Sequence, residues 1–391
     1  MRILIFMPRN MRFGPTNATS IDLCASELVS RSRYRDKTTI VCCENESLFQ
    51  GFDIKTYPPS VDAHKHRKVA FAVKQARENS ADVIVVHNHL PTAAALARRT
   101  SIPVILHKHN MTKAVGTSGA VNALRRRWKL MQYRSLGGLI FVSEFCRADF
   151  VRDWPEVRKP SAVVYNGLDF EEWQPAATRR KEIICVGRAA PEKGIKEAAE
   201  AIARVLKIEP SWSARLILSE PQRHPSYLQE ALTSLQPVSS RVCVEYSQPL
   251  AVVRERLSQG AIAIVPSKWE EPFGRTALEA HAAGCAVISS GTGGLKEVGG
   301  SHAMFLPKNF GANDILDKLE SLITDDAKRD RLAHEGRSYC LQRFSLASIS
   351  NSADTFYERV YCTLNAGDSK HSLDTNEDRS WNAPRSGEEL P

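Results

Sequence analysis

The sequence of 391 residues contains no uninterrupted apolar run of about 18 residues, so it predicts no helix that spans a membrane. The opening stretch MRILIFMPRN has an apolar run too short for a signal peptide and typical of a first buried strand. The nine cysteines show no CxxC pair and no Cys/His ligand spacing, which favours reduced, mostly buried thiols. These absences predict a cytoplasmic protein, and we expect any membrane contact to come from that side.

Motifs of several binding classes are absent as well. No GxGxxG is present, so a dinucleotide cofactor is not expected, and no other cofactor is indicated. No Asp-x-Asp pair stands at a predicted strand end, and no stacking-aromatic motif of an RNA-binding module occurs. Nucleic acid is therefore not an expected partner.

The charge is unevenly distributed along the chain. Residues 1–175 carry 26 Lys and Arg against 16 Asp and Glu, whereas residues 176–391 carry 27 against 28. The first half therefore contributes +10 and the second −1, which together give the net charge of +9. A basic first half indicates anionic partners, such as acidic lipid headgroups or charged glycans.

Short β-rich runs alternate with longer helical patterns, which is typical of parallel sheets covered by helices. The alternation occurs in two series, separated by the turn-rich stretch NGLDFEEWQP at 166–175. We therefore predict an α/β protein with two Rossmann-like, doubly wound domains that face a cleft, where such sheets bind ligands. The predicted strands are Ile3–Met7, Thr39–Cys42, Val83–His87, Val104–His107, Leu139–Val142, Val163–Asn166, Ile183–Val186, Leu216–Leu218, Val242–Glu245, Ala261–Val265 and Ala286–Ser289.

The predicted domain boundaries follow from these two series. Residues 1–170 form the first domain and residues 171–345 the second. A last helix at 346–364 has apolar residues on one face, and we expect it to pack back on the first domain. The polar stretch 365–391 is predicted to be a disordered tail.

The segment WEEPFGRTALEAHAAGCAVISSGTGGLKEVGG, residues 269–300, has the features of a ligand-binding turn. Pro272 fixes the turn, and Gly274 lets backbone N–H groups approach a ligand closely. The helix that follows directs its positive end at the same point. Glu271 lies in the turn and Glu279 about two helical turns further on, so both carboxylates can face hydroxyls of one ligand. A capping and solvent-facing pair of glutamates is the alternative.

The stretch VPSKWEEPFGRTALEAHAAGCAVISSGTGGLKEV resembles the signature of retaining glycosyltransferases of family 4, also called glycosyl transferases group 1. ICVGRAAPEKGIKEAAEAI and VYNGLDFEEWQP support the resemblance, since they are of the family's type and stand in its order. The resemblance covers roughly residues 1–364 and is strongest from 163 to 300. It implies the GT-B fold, a nucleotide-sugar donor and metal-independent transfer with retention. The likeness is to enzymes of bacterial cell-surface polysaccharides, such as lipopolysaccharide core or exopolysaccharide.

The resemblance also implies roles for particular residues of the second domain. It assigns Glu271 to hydroxyls of the transferred sugar and Glu279 to the ribose of the nucleotide. The backbone of Phe273, Gly274 and Arg275 is expected to hold the sugar or the diphosphate.

Two cations, Arg188 and Lys193, flank the turn in GRAAPEKG, just before a predicted helix from about Ile195. Cations beside a helix N-terminus suit the diphosphate of a leaving nucleotide, on which negative charge grows as the sugar departs. Solvated, functionless surface cations are the alternative.

In the first domain, Gly14 and His109 are the candidates. Gly14 lies in the loop after the first strand, where the family usually has two glycines facing the diphosphate; here Gly-Pro stands instead. His109 matches the family's histidine near the reacting carbon and the acceptor. The HxH spacing of His87–His89 and of His107–His109 also permits metal ligands, and a structural hydrogen bond is a further alternative. We expect no metal and assign the other histidines structural roles.

The run RRRWK, Arg125–Lys129, lies in a helical stretch beside leucines and a methionine. Basic residues next to Trp and Leu suit an anionic membrane surface, and a solvated charged face is the alternative. The sequence thus predicts peripheral contact with inner-membrane lipid and an anionic glycolipid or polysaccharide acceptor.

The nucleotide base stays open between a UDP- and a GDP-sugar. Ser219–Gln222 and the region near Tyr246 lack glycines that the family has where the base is read. Two other functions also fit the predicted fold: a nucleotide-sugar 2-epimerase, or a non-catalytic protein that binds nucleotide sugars.

Overall fold

The computed structural model describes residues 1–8, 11–15, 18–112 and 119–366. In this part the chain builds two parallel β-sheets in succession, of seven and six strands, each covered by helices. The predicted α/β class with two Rossmann-like units is therefore confirmed.

The first sheet has the strand order β3-β2-β1-β4-β5-β6-β7, and every neighbouring pair is parallel. Its central strands are buried because they are continuous apolar runs covered on both faces. The elements in chain order are β1 (Ile3–Phe6), α1 (Ser20–Ser30), β2 (Thr38–Cys43), β3 (Asp53–Tyr57), α2 (Pro59–Asp62), α3 (Lys65–Glu78), β4 (Val83–His87), α4 (Leu90–Ala97), β5 (Val104–Lys108), α5 (Ala120–Arg134), β6 (Gly138–Phe141), α6 (Glu144–Asp153) and β7 (Ser161–Val163).

The second sheet has the order β10-β9-β8-β11-β12-β13 and is parallel throughout. Its first strand enters the middle of the sheet, so strands are added on both sides of it. The elements are β8 (Arg180–Arg188), α7 (Ile195–Ile208), β9 (Ser213–Ser219), α8 (Pro225–Thr233), β10 (Val242–Tyr246), α9 (Leu250–Gln259), β11 (Gly260–Val265), α10 (Arg275–Ala282), β12 (Ala286–Ser289), α11 (Leu295–Gly299), β13 (Met304–Phe305), α12 (Ala312–Thr324), α13 (Asp326–Phe344) and α14 (Leu346–Ala366).

Helix α14 returns to the first sheet. Ile349, Phe356 and Val360 are buried in the same apolar cluster as strands β1, β4 and β5. Polar contacts join α14 to the end of α1: the Ser350 hydroxyl donates to the carbonyl of Leu28, at 2.9 Å. The C-terminal helix thus connects the two sheets a second time.

Some elements differ from those expected. Strand β3 and the short β13 were not predicted, and the strand expected at Val163–Asn166 lies at Ser161–Val163. Helix α14 continues to Ala366, so the first two residues of the predicted tail are helical, and residues 367–391 lie outside the described residues. Among the described helices, none combines the length and the apolar composition that crossing a membrane requires.

Candidate active site

A cleft of about 520 Å³ opens between the two sheets, at the carboxyl ends of their strands. The first sheet contributes residues that follow β1, β4 and β5, and the second contributes residues that follow β8 and β11. Of the nine residues predicted to act, seven line this cleft: His109, Arg188, Lys193, Glu271, Phe273, Gly274 and Arg275.

The Glu271 side chain is the centre of the polar contacts in the cleft. Its Oε1 atom accepts hydrogen bonds from the Lys193 ammonium and from the Ser267 hydroxyl, the latter at 2.5 Å. The Lys193 Nζ also lies 5.5 Å from the centre of the Trp269 ring. Both contacts fall on Oε1, and no residue in the described part of the chain donates to Oε2 of Glu271, so Oε2 can accept from a ligand.

The backbone around Glu271 is fixed by the glycine-rich loop that follows β12. Gly293 pairs with Glu271, and the N–H of Gly294 donates to the Glu271 carbonyl at 2.8 Å. Gly274 has φ +108°, and a Cβ there would overlap the Leu295 side chain, so only glycine fits this turn. The first turn of α10 therefore lines the cleft through Arg275 and Thr276, at the positive end of the helix.

Arg188 stands at the end of β8 and lines the cleft, with its guanidinium 3.1 Å from Glu192. The helix N-terminus expected to assist it, that of α7, is occupied. The N–H of Lys196 donates to the Tyr227 hydroxyl at 3.1 Å, so α7 offers less to an anion than the sequence implied.

Glu279 lies behind the cleft wall and is not among the lining residues. Its Oε1 accepts from the Nε of Arg275 at 2.7 Å, and burial raises the pKa of its carboxyl while Arg275 opposes the rise. Arg275 also forms a bidentate pair with Glu27 of α1, at 2.6 and 2.7 Å. One guanidinium thus joins the two sheets and occupies the carboxylate that was assigned to a ribose.

Gly14 does not reach the cleft either. It is buried against the loop Asn45–Ser47, and a Cβ at Gly14 would overlap the Ser47 carbonyl. The adjoining turn of α1 takes its place at the cleft, with Thr19 as the N-cap residue and Ser20 and Ile21 beside it. The diphosphate contact expected of Gly14 stays a prediction that this geometry does not support.

His109 lines the cleft and belongs to a buried group of three histidines. Its Nε2 lies 2.8 Å from Nδ1 of His87, and its ring stacks on that of His107 with centroids 4.4 Å apart. Burial lowers the pKa of His87 to about 3 and the pKa of His107 and His109 well below the ordinary range. The three rings are therefore neutral at pH 7, whereas His89 bonds to Thr92 at the start of α4.

The run Arg125–Lys129 lies on α5, and none of its residues lines the cleft. Arg126 turns inward, pairing with Glu156 at 2.9 Å and lying over the Trp154 ring, so the basic run is split. Four apolar side chains, 49% to 70% exposed, follow one face of this helix: Val121, Leu124, Trp128 and Met131.

The sequence did not reveal three further residues that contact the predicted ones: Ser267, Trp269 and Glu27. Ser267 and Trp269 stand in the segment VPSKWEEPFG, so their nearness to Glu271 was a usable signal. Glu27 carried no signal, because its partner Arg275 is 248 residues away.

Two family models match the chain, one in each half. Residues 30–172 match the model described as Glycosyltransferase Family 4, and residues 169–339 match the model described as Glycosyl transferases group 1. The two matches together run from residue 30 to residue 339.

The curated relatives share about a quarter of their residues with this chain over the aligned ranges. The chain is 27% identical over 248 residues to alpha-maltose-1-phosphate synthase of Mycolicibacterium smegmatis, which covers 57% of this chain and 63% of that protein. It is 26% identical over 291 residues to glycogen synthase of Mycobacterium tuberculosis, covering 71% of this chain and 68% of that one. The chain thus spans less than two thirds of the length of the synthase from M. smegmatis.

Among solved structures, Anabaena Alr3699/HepE in complex with UDP and glucose superimposes with a TM-score of 0.71 at 18% identity, over 91% of this chain and 99% of that one. At such identity the likeness speaks for the fold alone. The two matched ranges and this shared fold make the chain similar to glycosyltransferases of group 1 and family 4, with the two-unit GT-B architecture.

Proposed function

We propose that this protein is a retaining, metal-independent glycosyltransferase that moves a sugar from a nucleotide-diphosphate sugar to a glycan or glycolipid acceptor. The observation that carries the proposal is the contact between Lys193 and Glu271 inside the cleft. It places a cation for phosphate and an acceptor of hydroxyl hydrogen bonds at one point, which is what a nucleotide sugar requires.

The second sheet supplies the donor side of the reaction. The diphosphate lies between Arg188, Lys193 and the first turn of α10, and Oε2 of Glu271 accepts from a sugar hydroxyl. As the anomeric bond breaks, negative charge grows on the departing diphosphate, and these fixed positive groups stabilise it more than the ground state. Rate acceleration therefore comes from electrostatics placed before the substrate arrives.

The first sheet supplies the acceptor side. The neutral ring of His109 faces the cleft and can hold an acceptor or sugar hydroxyl without adding a charge. Retention follows if the acceptor attacks from the face that the nucleotide leaves, with a phosphate oxygen of the leaving group taking the acceptor's proton. Glu271, already bonded to Lys193 and Ser267, is poorly suited to act as a covalent nucleophile.

The acceptor class rests on charge and on the relatives. A net charge of +10 in residues 1–175 suits an anionic acceptor, such as lipopolysaccharide core or another cell-surface polysaccharide precursor on the cytoplasmic side of the inner membrane. The curated relatives are named for the synthesis of maltose-1-phosphate and glycogen, so a glucan or sugar phosphate is the alternative acceptor.

The membrane contact would use the outer face of α5. Leu124 and Trp128 are exposed there beside Arg125 and Arg127, an arrangement that places apolar groups among acyl chains and cations among acidic headgroups. We expect the full chain to co-sediment with vesicles that contain phosphatidylglycerol more than with phosphatidylcholine alone. Leu124→Ser combined with Trp128→Ser should weaken this binding about tenfold.

Ile208→Ser is the matched control for the vesicle experiment, because Ile208 is equally exposed but ends a helix of the second unit. Equal binding to both kinds of vesicle, or equal loss in the control, would refute the membrane contact.

The enzymatic proposal is tested in two steps. Thermal shifts with UDP-, GDP- and ADP-sugars identify the donor, since only a ligand that binds the folded state raises the melting temperature. The stabilising donor is then incubated with oligosaccharide, sugar-phosphate and glycolipid acceptors, with and without EDTA, and the anomeric configuration of the product is read by NMR. We expect transfer that EDTA does not abolish and a product with the donor's configuration.

Other outcomes of this assay would replace the proposal. A new C2 epimer formed from the donor without any acceptor identifies a 2-epimerase. Donor binding without turnover on any acceptor identifies a non-catalytic binding protein, and an inverted product excludes the retaining mechanism.

A further inference from the structure

We propose that His87, His107 and His109 form a binding site for one transition-metal ion of the zinc type. One ring nitrogen from each residue lies within 4.8 Å of the corresponding atoms of the other two. All three side chains are buried, and His109 alone of the three also lines the cleft.

The site follows from the register of two neighbouring strands. His87 ends β4 and pairs directly with His107 of β5, so their side chains lie next to each other. Alternate residues of an extended chain point to the same side, which places His109 beside His107. The two HxH stretches therefore contribute across the sheet, and His89 is not a member of the group.

The hydrogen bonding of these rings is incomplete. His87 Nδ1 and His109 Nε2 lie 2.8 Å apart, but His87 Nε2 and both ring nitrogens of His107 find no hydrogen-bond partner in the described part of the chain. Buried polar atoms are almost always satisfied, because removing them from water without a new partner is costly. A shared ion binds one nitrogen of each ring and thereby gives His107, which has no hydrogen bond within the described residues, a partner.

The ligand set selects the class of metal. The group is made of imidazoles only, which suit Zn²⁺, Ni²⁺ and Cu²⁺, whereas Mg²⁺ and Ca²⁺ prefer oxygen ligands. Three histidines with a fourth position open to solvent is a known arrangement for Zn²⁺. Neutral rings bind metal without first losing a proton, and the burial of this group keeps the rings neutral.

Only small movements are needed to reach metal geometry. Zn–N bonds of about 2.0–2.1 Å in a tetrahedral site place ligand nitrogens roughly 3.4 Å apart. The contact between His87 and His109 would open slightly, and His107 would approach by a side-chain rotation. The ion enters from the cleft, which His109 borders.

Occupation of this site has a consequence that rests on the proposed function. A bound ion occupies Nε2 of His109, whose ring borders the cleft, and adds positive charge to the neutral pocket. Zn²⁺ therefore inhibits transfer, even though transfer itself needs no metal.

Metal binding is measured first, because it does not depend on any enzymatic activity. The full chain is stripped with EDTA, desalted, and titrated with Zn²⁺ or Mg²⁺ above pH 7, with stoichiometry read by elemental analysis after dialysis. We expect about one Zn²⁺ per chain and no Mg²⁺. Co²⁺ in the same site should give the intense visible bands of tetrahedral coordination, a test that needs no variant.

Two variants locate the ion. His107→Leu removes a ring that makes no hydrogen bond in the described structure and replaces it with an apolar group of similar size, so it should fold and lose the ion. The double variant His64→Asn with His66→Asn removes a surface pair whose rings lie 5.8 Å apart and should keep it. Absence of bound Zn²⁺ in the wild type, or its loss in the surface variant alone, overturns the site.

The inhibition experiment measures the transfer rate of the wild type and of each variant separately, with and without Zn²⁺. We expect at least about tenfold inhibition of the wild type, reversed by EDTA, and none in His107→Leu. If the chain binds Zn²⁺ stoichiometrically but transfers no sugar, the proposed function fails while the metal site stands. If Zn²⁺ binds at the histidines without slowing transfer, the inhibitory consequence is overturned.

Discussion

The two walls of the cleft differ in how their polar groups are satisfied. On the side of the second sheet every predicted charge has a partner: Lys193 contacts Glu271, Arg188 contacts Glu192, and Arg275 contacts Glu279. On the side of the first sheet, neutral histidine rings stack with ring nitrogens left unpaired within the described structure. We call the side with Arg188, Lys193, Glu271 and Arg275 the charged wall, because it is built from ion pairs. The side with the histidine group is the neutral wall, because its donors and acceptors are uncharged.

This difference indicates a division of labour. An ion pair at the edge of a cleft can exchange one partner for a ligand group, so Lys193 can turn from Glu271 to a phosphate while Glu271 turns to a hydroxyl. A neutral imidazole holds a hydroxyl without attracting a second anion. The charged wall therefore suits the donor and the neutral wall the acceptor.

Removing the central ion pair should have the largest effect. Lys193→Met or Glu271→Gln is expected to lower the transfer rate by a factor of about 100 or more, because each deletes a group that stabilises charge at the reacting centre. The measurement is the initial rate at saturating acceptor. Lys196→Met is the control, since Lys196 pairs with Glu230 on the outside of α7 and α8. A loss of similar size in the control would mean that the cleft has been misassigned.

Removing the pairing of Arg275 with Glu27, which joins the two sides of the cleft, should have the second largest effect. Glu27→Gln leaves Arg275 without its bidentate partner in a nearly buried position, and we expect a loss of about 2 kcal/mol in the free energy of unfolding by urea. The exposed pair of Arg31 and Asp169 offers the contrast: Asp169→Asn should change stability by less than about 0.5 kcal/mol. Equal effects would show that Arg275 does not hold the two sheets together.

The buried histidines of the neutral wall should make the free energy of unfolding depend on pH. Burial lowers the pKa of His87, His107 and His109 in the folded chain, so the unfolded chain takes up protons first as the pH falls through about 6.5. The free energy of unfolding is therefore highest above that pH and declines as the pH falls below it. We expect each of these histidines to lower the free energy of unfolding by about 1 kcal/mol when the pH falls from 7.5 to 5.5.

Urea unfolding at both pH values measures this slope. His107→Leu should reduce it, while Ile140→Val, which alters the residue paired with His107 on the next strand, should shift both curves equally. A slope that is unchanged in His107→Leu would contradict neutral burial of this ring.

The sequence predicted the charged wall better than the neutral one, for a physical reason. Glu271, Pro272 and Gly274 act through one local turn, so their spacing in the chain already defines their geometry. The histidine group depends on the register between β4 and β5, which the residues of either strand alone do not reveal. The pairing of Glu27 with Arg275 depends on how the two sheets meet and has no local signature at all.

The elements and contacts that the sequence did not predict also lack a clear local pattern. Strand β3, of sequence DIKTY, is an edge strand with exposed and half-buried residues, so it shows little of the apolar pattern that reveals the central strands. The family resemblance assigned Glu279 to a ribose, and helical spacing allowed its carboxylate to face the same ligand as Glu271. Arg275 on the same helix covers it, so ribose contact would require this guanidinium to move.

The division of labour is tested most directly by nucleotide affinity. Isothermal titration compares the identified nucleoside diphosphate with its nucleoside in the wild type, in Lys193→Met and in His109→Asn. The account predicts that Lys193→Met weakens the diphosphate about tenfold or more and leaves the nucleoside unchanged, while His109→Asn alters neither affinity but slows transfer. Equal weakening of the diphosphate in both variants, or none in Lys193→Met, would contradict it.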